Sequence, residues 1–216
     1  MAQRPLGILI LAFVMLSPMA GSAQEADSPQ TLRAWLEREH RFLHRYLAVV
    51  QQATHDYSYG YRTPALLMPV TIDLFTGYVA WLHEGEQRFL YPALWNGMNE
   101  EQQQGIRLLQ TEEEEEAGSI KSWQQQLLQY EAGKKKLTEV ADTIDYLGRL
   151  INRHLVLQEN RIFPVLDQLA PTEQTPVLKR LSAFEQERLG RSGRARYEQL
   201  LAYIEEEIKA VAGRVW

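Results

Sequence analysis

The chain has 216 residues, a formal net charge of −5 and no cysteine. The missing thiols exclude disulfides, thiol nucleophiles, iron–sulfur ligation and covalent c-type haem attachment, so any redox chemistry must sit on a bound metal. Acidity without a concentrated basic stripe argues against nucleic acid as a partner, and the one basic run, Lys134-Lys135-Lys136, reads as a solvated turn between helices.

At the N-terminus Arg4 precedes an apolar run from Leu6 to Leu16 and a small-residue stretch, Ser17 to Ala23. The run is too short to cross a bilayer, which takes ~20 apolar residues. Its charge, length and ending match a cleavable secretory signal over residues 1–23. The expectation is export, to the periplasm, of a mature chain beginning at Gln24. No later segment is long and apolar enough to span a membrane.

A helix start is expected at Ser28-Pro29, with a capping hydroxyl and a proline where its missing N–H is harmless. Leu32, Trp35, Leu36, Leu43, Tyr46, Leu47 and Val50 then recur at helical spacing until a tyrosine-rich stretch, Thr54 to Arg62. A second stripe runs through Ile72, Phe75, Val79, Leu82, Glu86 and Leu90, with Pro92 and Asn96-Gly97 ending it. The third starts near Asn99-Glu100 and carries Ile106, Leu109, Ala117, Ile120, Trp123, Leu127 and Tyr130. The fourth has the cleanest seam: Leu137, Val140, Ile144, Leu147, Ile151, His154 and Gln158. Pro171 and Pro176 introduce a shorter helix, and another follows the turn at Gly190 to Gly193. The reading is therefore all-α, an antiparallel four-helix bundle over residues 24–170 with two additional C-terminal helices in residues 171–216.

Two helices carry similar polar segments, His83 to Leu94 and His154 to Leu166. Each sets a histidine three or four residues before Glu86 or Gln158, on one helix face, so each can aim a nitrogen and an oxygen at one point. Bundles build metal sites in this way. Glu86, on an apolar seam, is costly to bury unless it is paired or coordinated. His154 with Gln158 alone would equally suit a buried histidine bonded to an amide. In the first helix His40 flanks the stripe and Glu39 lies nearer its middle, while His44 turns toward solvent. The stripe of the third helix passes through Glu112 to Glu116, so one or two of these carboxylates must look inward; Glu112 and Glu115 read as solvated, while Glu113 lies nearer the middle of the stripe and Glu114 at its flank. His83 and His154, like Glu39-His40 and Glu113-Glu114, mark a helical hairpin that recurs, which would bring the polar points together.

In combination these residues resemble the hemerythrin-like family, the HHE cation-binding domain, from about Leu32 to Leu169. Leu36 to Arg41 resembles the family's first-helix Glu-His step. His83 to Leu94 is similar to its second-helix motif, Glu114 to Gly118 to its third, and His154 to Pro164 to its fourth. The resemblance implies a four-helix bundle around non-haem iron, with His40, His83, Glu86, Glu114, His154 and Gln158 as metal ligands. Three positions depart from the pattern. Glu114 stands where the family has a histidine, Gln158 replaces a glutamate, and the second helix is one residue short between His83 and Pro92, so that Leu82 would fall at the ligand position if counted from the proline. Fewer imidazoles and more carboxylate oxygen suit a single iron, manganese or zinc ion better than an oxygen-carrying iron pair.

The expected function is an exported protein that binds or senses a metal ion, non-haem iron first, with a small diatomic molecule as its candidate ligand and no catalytic cycle of its own. One alternative is a metal-dependent redox enzyme acting on oxygen, peroxide or nitric oxide. Another is a metal-free bundle acting as an envelope interaction module.

Overall fold

The computed structural model describes residues 29–58, 67–134 and 137–212. The signal-like segment and the stretch from Tyr59 to Leu66 lie outside them. The first helix, α1 (Leu32–Ser58), is capped by the Thr31 hydroxyl, which accepts a hydrogen bond from the Ala34 amide at 3.1 Å. The cap is thus three residues later than Ser28, and the helix runs on past Thr54, where a loop was expected. A continuous helical run, α2 (residues 67–95), follows. It contains two wide π-helical segments, Leu74–Val79 and Glu86–Leu90, and passes through Pro92 before ending at Trp95. The missing N–H of Pro92 is tolerated because it sits in a new first turn, just beyond the second wide segment.

Helix α3 (Glu100–Glu131) opens with a reciprocal cap: the Gln102 amide donates to the Asn99 side chain and the Asn99 amide to the Gln102 side chain, each at 2.9 Å. Helix α4 (Leu137–Arg161) continues into a single turn, Phe163–Leu166. Two more helices, α5 (Pro171–Leu189) and α6 (Gly193–Ala212), complete the described residues, which contain no strand. Gly190 and Gly193 take positive φ between them (76° and 41°), a conformation that side chains with a Cβ disfavour.

Cross-helix partners show the topology. Glu115 bonds Tyr146 and Glu101 bonds Arg161, so α3 and α4 are antiparallel. The pairs Tyr46–Thr71 and Glu39–Tyr78 set α1 against α2, Gln87–Glu113 sets α2 against α3, and His40–Glu159 closes the ring between α1 and α4. The seams fill the middle with Leu36, Leu43, Phe75, Leu82, Leu109, Trp123, Ile144 and Leu147, all essentially inaccessible. Each such side chain contributes about 1.5–3 kcal/mol of transfer free energy. The α5–α6 hairpin packs outside α1 and α2. It comes close to α2 at Gly77, where an added Cβ would lie 2.4 Å from the Tyr197 hydroxyl.

Candidate metal centre

The interior of the four-helix ring is mostly apolar, and in one layer α2, α3 and α4 each send in side chains that can carry charge. Glu86 opens the second wide segment of α2, and the Tyr91 amide bonds back to the Glu86 carbonyl, five residues earlier. That i to i+5 pitch brings both side chains to one face, and the Tyr91 hydroxyl lies 3.2 Å from Glu86 Oε2 and 3.0 Å from Glu113 Oε1. The Gln87 carboxamide donates to the other Glu113 oxygen. From α3, Glu112, Glu113 and Glu116 turn inward while Glu114 and Glu115 are exposed. From α4 comes His154, 2% exposed, with its ring centroid 4.9 Å from that of His83.

His154 is the hub. Its Nε2 lies 4.0 Å from Glu86 Oε2, and its Nδ1 lies 3.9 Å from Glu112 Oε2 and 3.8 Å from Glu116 Oε1. His83 Nε2 is 3.6 Å from the other Glu116 oxygen. None of these separations is a hydrogen bond. Glu86, Glu113 and His154 each offer one ligand atom within 4.8 Å of the other two, and all three are buried.

Six buried polar atoms in this layer have no hydrogen-bond partner: Glu86 Oε1, Glu112 Oε2, both carboxylate oxygens of Glu116 and both ring nitrogens of His154. Leaving one such group unpaired costs about 1–3 kcal/mol. Among the described residues the only guanidinium in reach is that of Arg153, which bonds Glu112 Oε1 at 2.7 Å from the half-exposed rim and also serves Glu115. Without a cation the groups can avoid isolated charge only by shifting their protonation. Burial, followed by the neighbouring Glu113, pushes the Glu86 carboxyl well above the usual range. Burial also raises Glu113 to about 7 and Glu116 to about 8, lowers His83 to about 4 and holds His154 well below its ordinary value. A metal ion would supply the missing charge and accept the unpaired lone pairs. The residues present therefore fit a cation.

The chain matches the hemerythrin HHE cation-binding domain over residues 31–166. It belongs to that family. Comparisons with curated proteins and with solved structures return no match.

Of the six residues that the family resemblance singled out, the structure brings His83, Glu86 and His154 into the layer. Glu114 is corrected: it faces solvent, and Glu113 and Glu116 occupy the interior instead. Glu112, expected in water, also turns in. The phase of α3 explains this, since Leu109, Glu113, Glu116, Ile120, Trp123 and Leu127 recur in steps of three and four, a signal readable from the flanking apolar residues. His40 and Gln158 are buried and meet each other, with His40 Nε2 2.8 Å from Gln158 Oε1. The amide-bonded histidine that the sequence allowed is thus His40, not His154. Leu82 is buried among apolar neighbours, so the short spacing before Pro92 is absorbed by the wide turn and His83 keeps its place at the layer.

Proposed function

We propose that this hemerythrin-family protein binds a metal ion, iron by preference, at the layer formed by Glu86, Glu113 and His154. One observation carries the reading: six unpartnered polar atoms in one buried layer, on side chains that include all but Glu113 of that trio. Glu86 and Glu113 supply hard oxygen donors and His154 a borderline nitrogen, a combination suited to iron or manganese. His154 Nε2 faces Glu86, leaving Nδ1 toward Glu112 and Glu116. A ligating imidazole ordinarily gives its second N–H to a carboxylate, which fixes the ring. Tyr91 and Gln87 hold Glu113 by both its oxygens, and His83 lies against Glu116 at the edge. Iron held there supplies one-electron redox chemistry. The residues themselves bind it, neutralise it and keep bulk water out.

Binding or sensing of the metal is the reading favoured over turnover, since Glu86, Glu113 and His154 are all buried and Tyr91 and Gln87 hold Glu113 in place. The same proposal puts the mature protein outside the cytoplasm, in the periplasm, on the support of Arg4, the Leu6 to Leu16 run and the small residues to Ala23. Elemental analysis of protein purified from its native compartment tests the central statement. Iron bound in proportion to protein supports it, manganese or zinc would correct the metal, and folded protein with no metal at all would favour the interaction-module alternative.

A further inference from the structure

Two sets of buried polar side chains meet near Glu86, and only one is short of partners. The first is the layer around His154. The second is a hydrogen-bonded chain that crosses from α1 to α4 and on to α2. The half-exposed Glu159 meets His40 Nδ1 at 3.0 Å, and His40 Nε2 meets Gln158 Oε1 at 2.8 Å. The Gln158 amide then donates to the Tyr91 hydroxyl at 3.0 Å, and Tyr91 reaches Glu86 and Glu113. Both ring nitrogens of His40 are engaged, its ring rests on Phe163 with centroids 5.3 Å apart, and both ends of the Gln158 carboxamide are used. Turning that carboxamide over would exchange donor and acceptor but keep both neighbours. The His40 ring therefore has no nitrogen left over for a metal, and Gln158 is held at both ends of its carboxamide.

Resting on the proposed metal-binding reading, we infer that the centre holds one ion per chain, with His40 and Gln158 outside its coordination as positioning residues that act through Tyr91 on Glu86 and Glu113. Three facts converge. Among the described residues, no second group of three ligand-bearing side chains comes as close together as Glu86, Glu113 and His154. Apart from the indole nitrogens of Trp81 and Trp123, the unpaired buried side-chain atoms among the described residues all belong to the His154 layer, and none belongs to His40 or Gln158. The neutral carboxamide at position 158 is a weak metal ligand but a good bridge, because it can accept from one neighbour and donate to another at once. The chain ends, through Tyr91, on Glu86 and Glu113, the two carboxylates that would hold the ion, so it fixes where those oxygens point. Outer partners of this kind typically change metal affinity 10–100-fold when removed.

The test loads the metal-free full-length mature protein with excess Fe(II) under anaerobic conditions, or with Zn(II), and counts bound ions per chain. One ion is expected. Two ions would overturn the single-ion inference while leaving the metal-binding reading intact, whereas none would overturn that reading and this inference with it. His40→Gln, which keeps a hydrogen-bonding group, should still bind one ion with affinity weakened roughly 10–100-fold; His154→Gln should lose it. If His40→Gln loses an ion while His154→Gln retains one, the assignment of roles is wrong. A measurement on unaltered protein guards against misfolding of either variant: nitrogen NMR of labelled histidine with Zn(II) should show a large shift at one His154 ring nitrogen and only a small one at His40. A metal-induced shift at His40 as large as that at His154 would put His40 in the coordination sphere and overturn the inference.

Discussion

Glu39 and Glu86 are both completely buried carboxylates in the same bundle, and both have a tyrosine hydroxyl against them, yet they are neutralised in different ways. Glu39 lies between α1, α2 and the α5–α6 hairpin, with Arg38 at 2.7 Å and Arg194 at 3.3 Å. Arg194 also bonds Glu198 and the Arg38 carbonyl, so the charges there are matched by groups the chain itself provides. Glu86 has neutral groups, Tyr91 and the Gln158 carboxamide, and a histidine 4.0 Å away, and its second oxygen has no hydrogen-bond partner. Among the described residues no guanidinium is aimed at Glu86, although two serve Glu39. The Glu39 cluster is a staple for the C-terminal hairpin, and the Glu86 layer is a site that is completed from outside.

The largest expected effect separates the two carboxylates by substitution. Glu39→Gln leaves Arg38 and Arg194 facing a neutral group and should destabilise the fold by roughly 3 kcal/mol, as breaking a buried pair does. In metal-free protein Glu86→Gln removes a group that is expensive to ionise, so it should change stability by no more than about 1 kcal/mol in either direction. Urea unfolding of both variants in chelator reads the difference. Equal losses would mean that Glu86 is as well paired as Glu39, and the contrast would disappear.

A smaller effect appears with pH. Glu113 at about 7 and Glu116 at about 8 lie above their unfolded values, so they bind protons in the folded metal-free state that the unfolded chain has released. Stability is then lost as pH rises through those values. His83 and His154 are lowered by burial and act oppositely, but only below their unfolded value of about 6.5. Between pH 6.5 and 8, therefore, metal-free protein should become less stable as pH rises, while metal-loaded protein should hold or gain stability because binding favours deprotonated ligands. Melting curves of both forms across that window check the sign.

The smallest effect concerns register. Glu114→Gln alters an exposed side chain and should leave stability within about 0.5 kcal/mol and metal content unchanged. Glu113→Gln, one residue away, should weaken the metal. Reversed results would mean that α3 is rotated by about one position.

This register also shows how far the amino-acid sequence could be read. The helices were legible because seams such as Val140, Ile144, Leu147 and Ile151 need only a period, and a period is local. The family pattern, aligned on Gly118, points to Glu114, whereas the apolar phase set by Leu109 and Trp123 leads to Glu113 and Glu116. The short spacing from His83 to Pro92 was visible, but not that a wide turn at Glu86 would absorb it and bring Tyr91 to the site. The tether on His40 could not be read at all, because Gln158 and Glu159 reach it across two helices far apart in the chain. Arg194, which helps satisfy Glu39, comes from the C-terminal hairpin and is more distant still.

Whether a cation completes the Glu86 layer is tested most directly by thermal unfolding of unaltered protein and of His154→Ala, each measured with chelator and after verified loading with Fe(II). Unaltered protein should be stabilised by the metal, by about 2.7 kcal/mol at a free concentration one hundred times Kd, and His154→Ala should show no such gain. Identical melting of unaltered protein with and without bound metal would contradict the view that the layer is built around a cation.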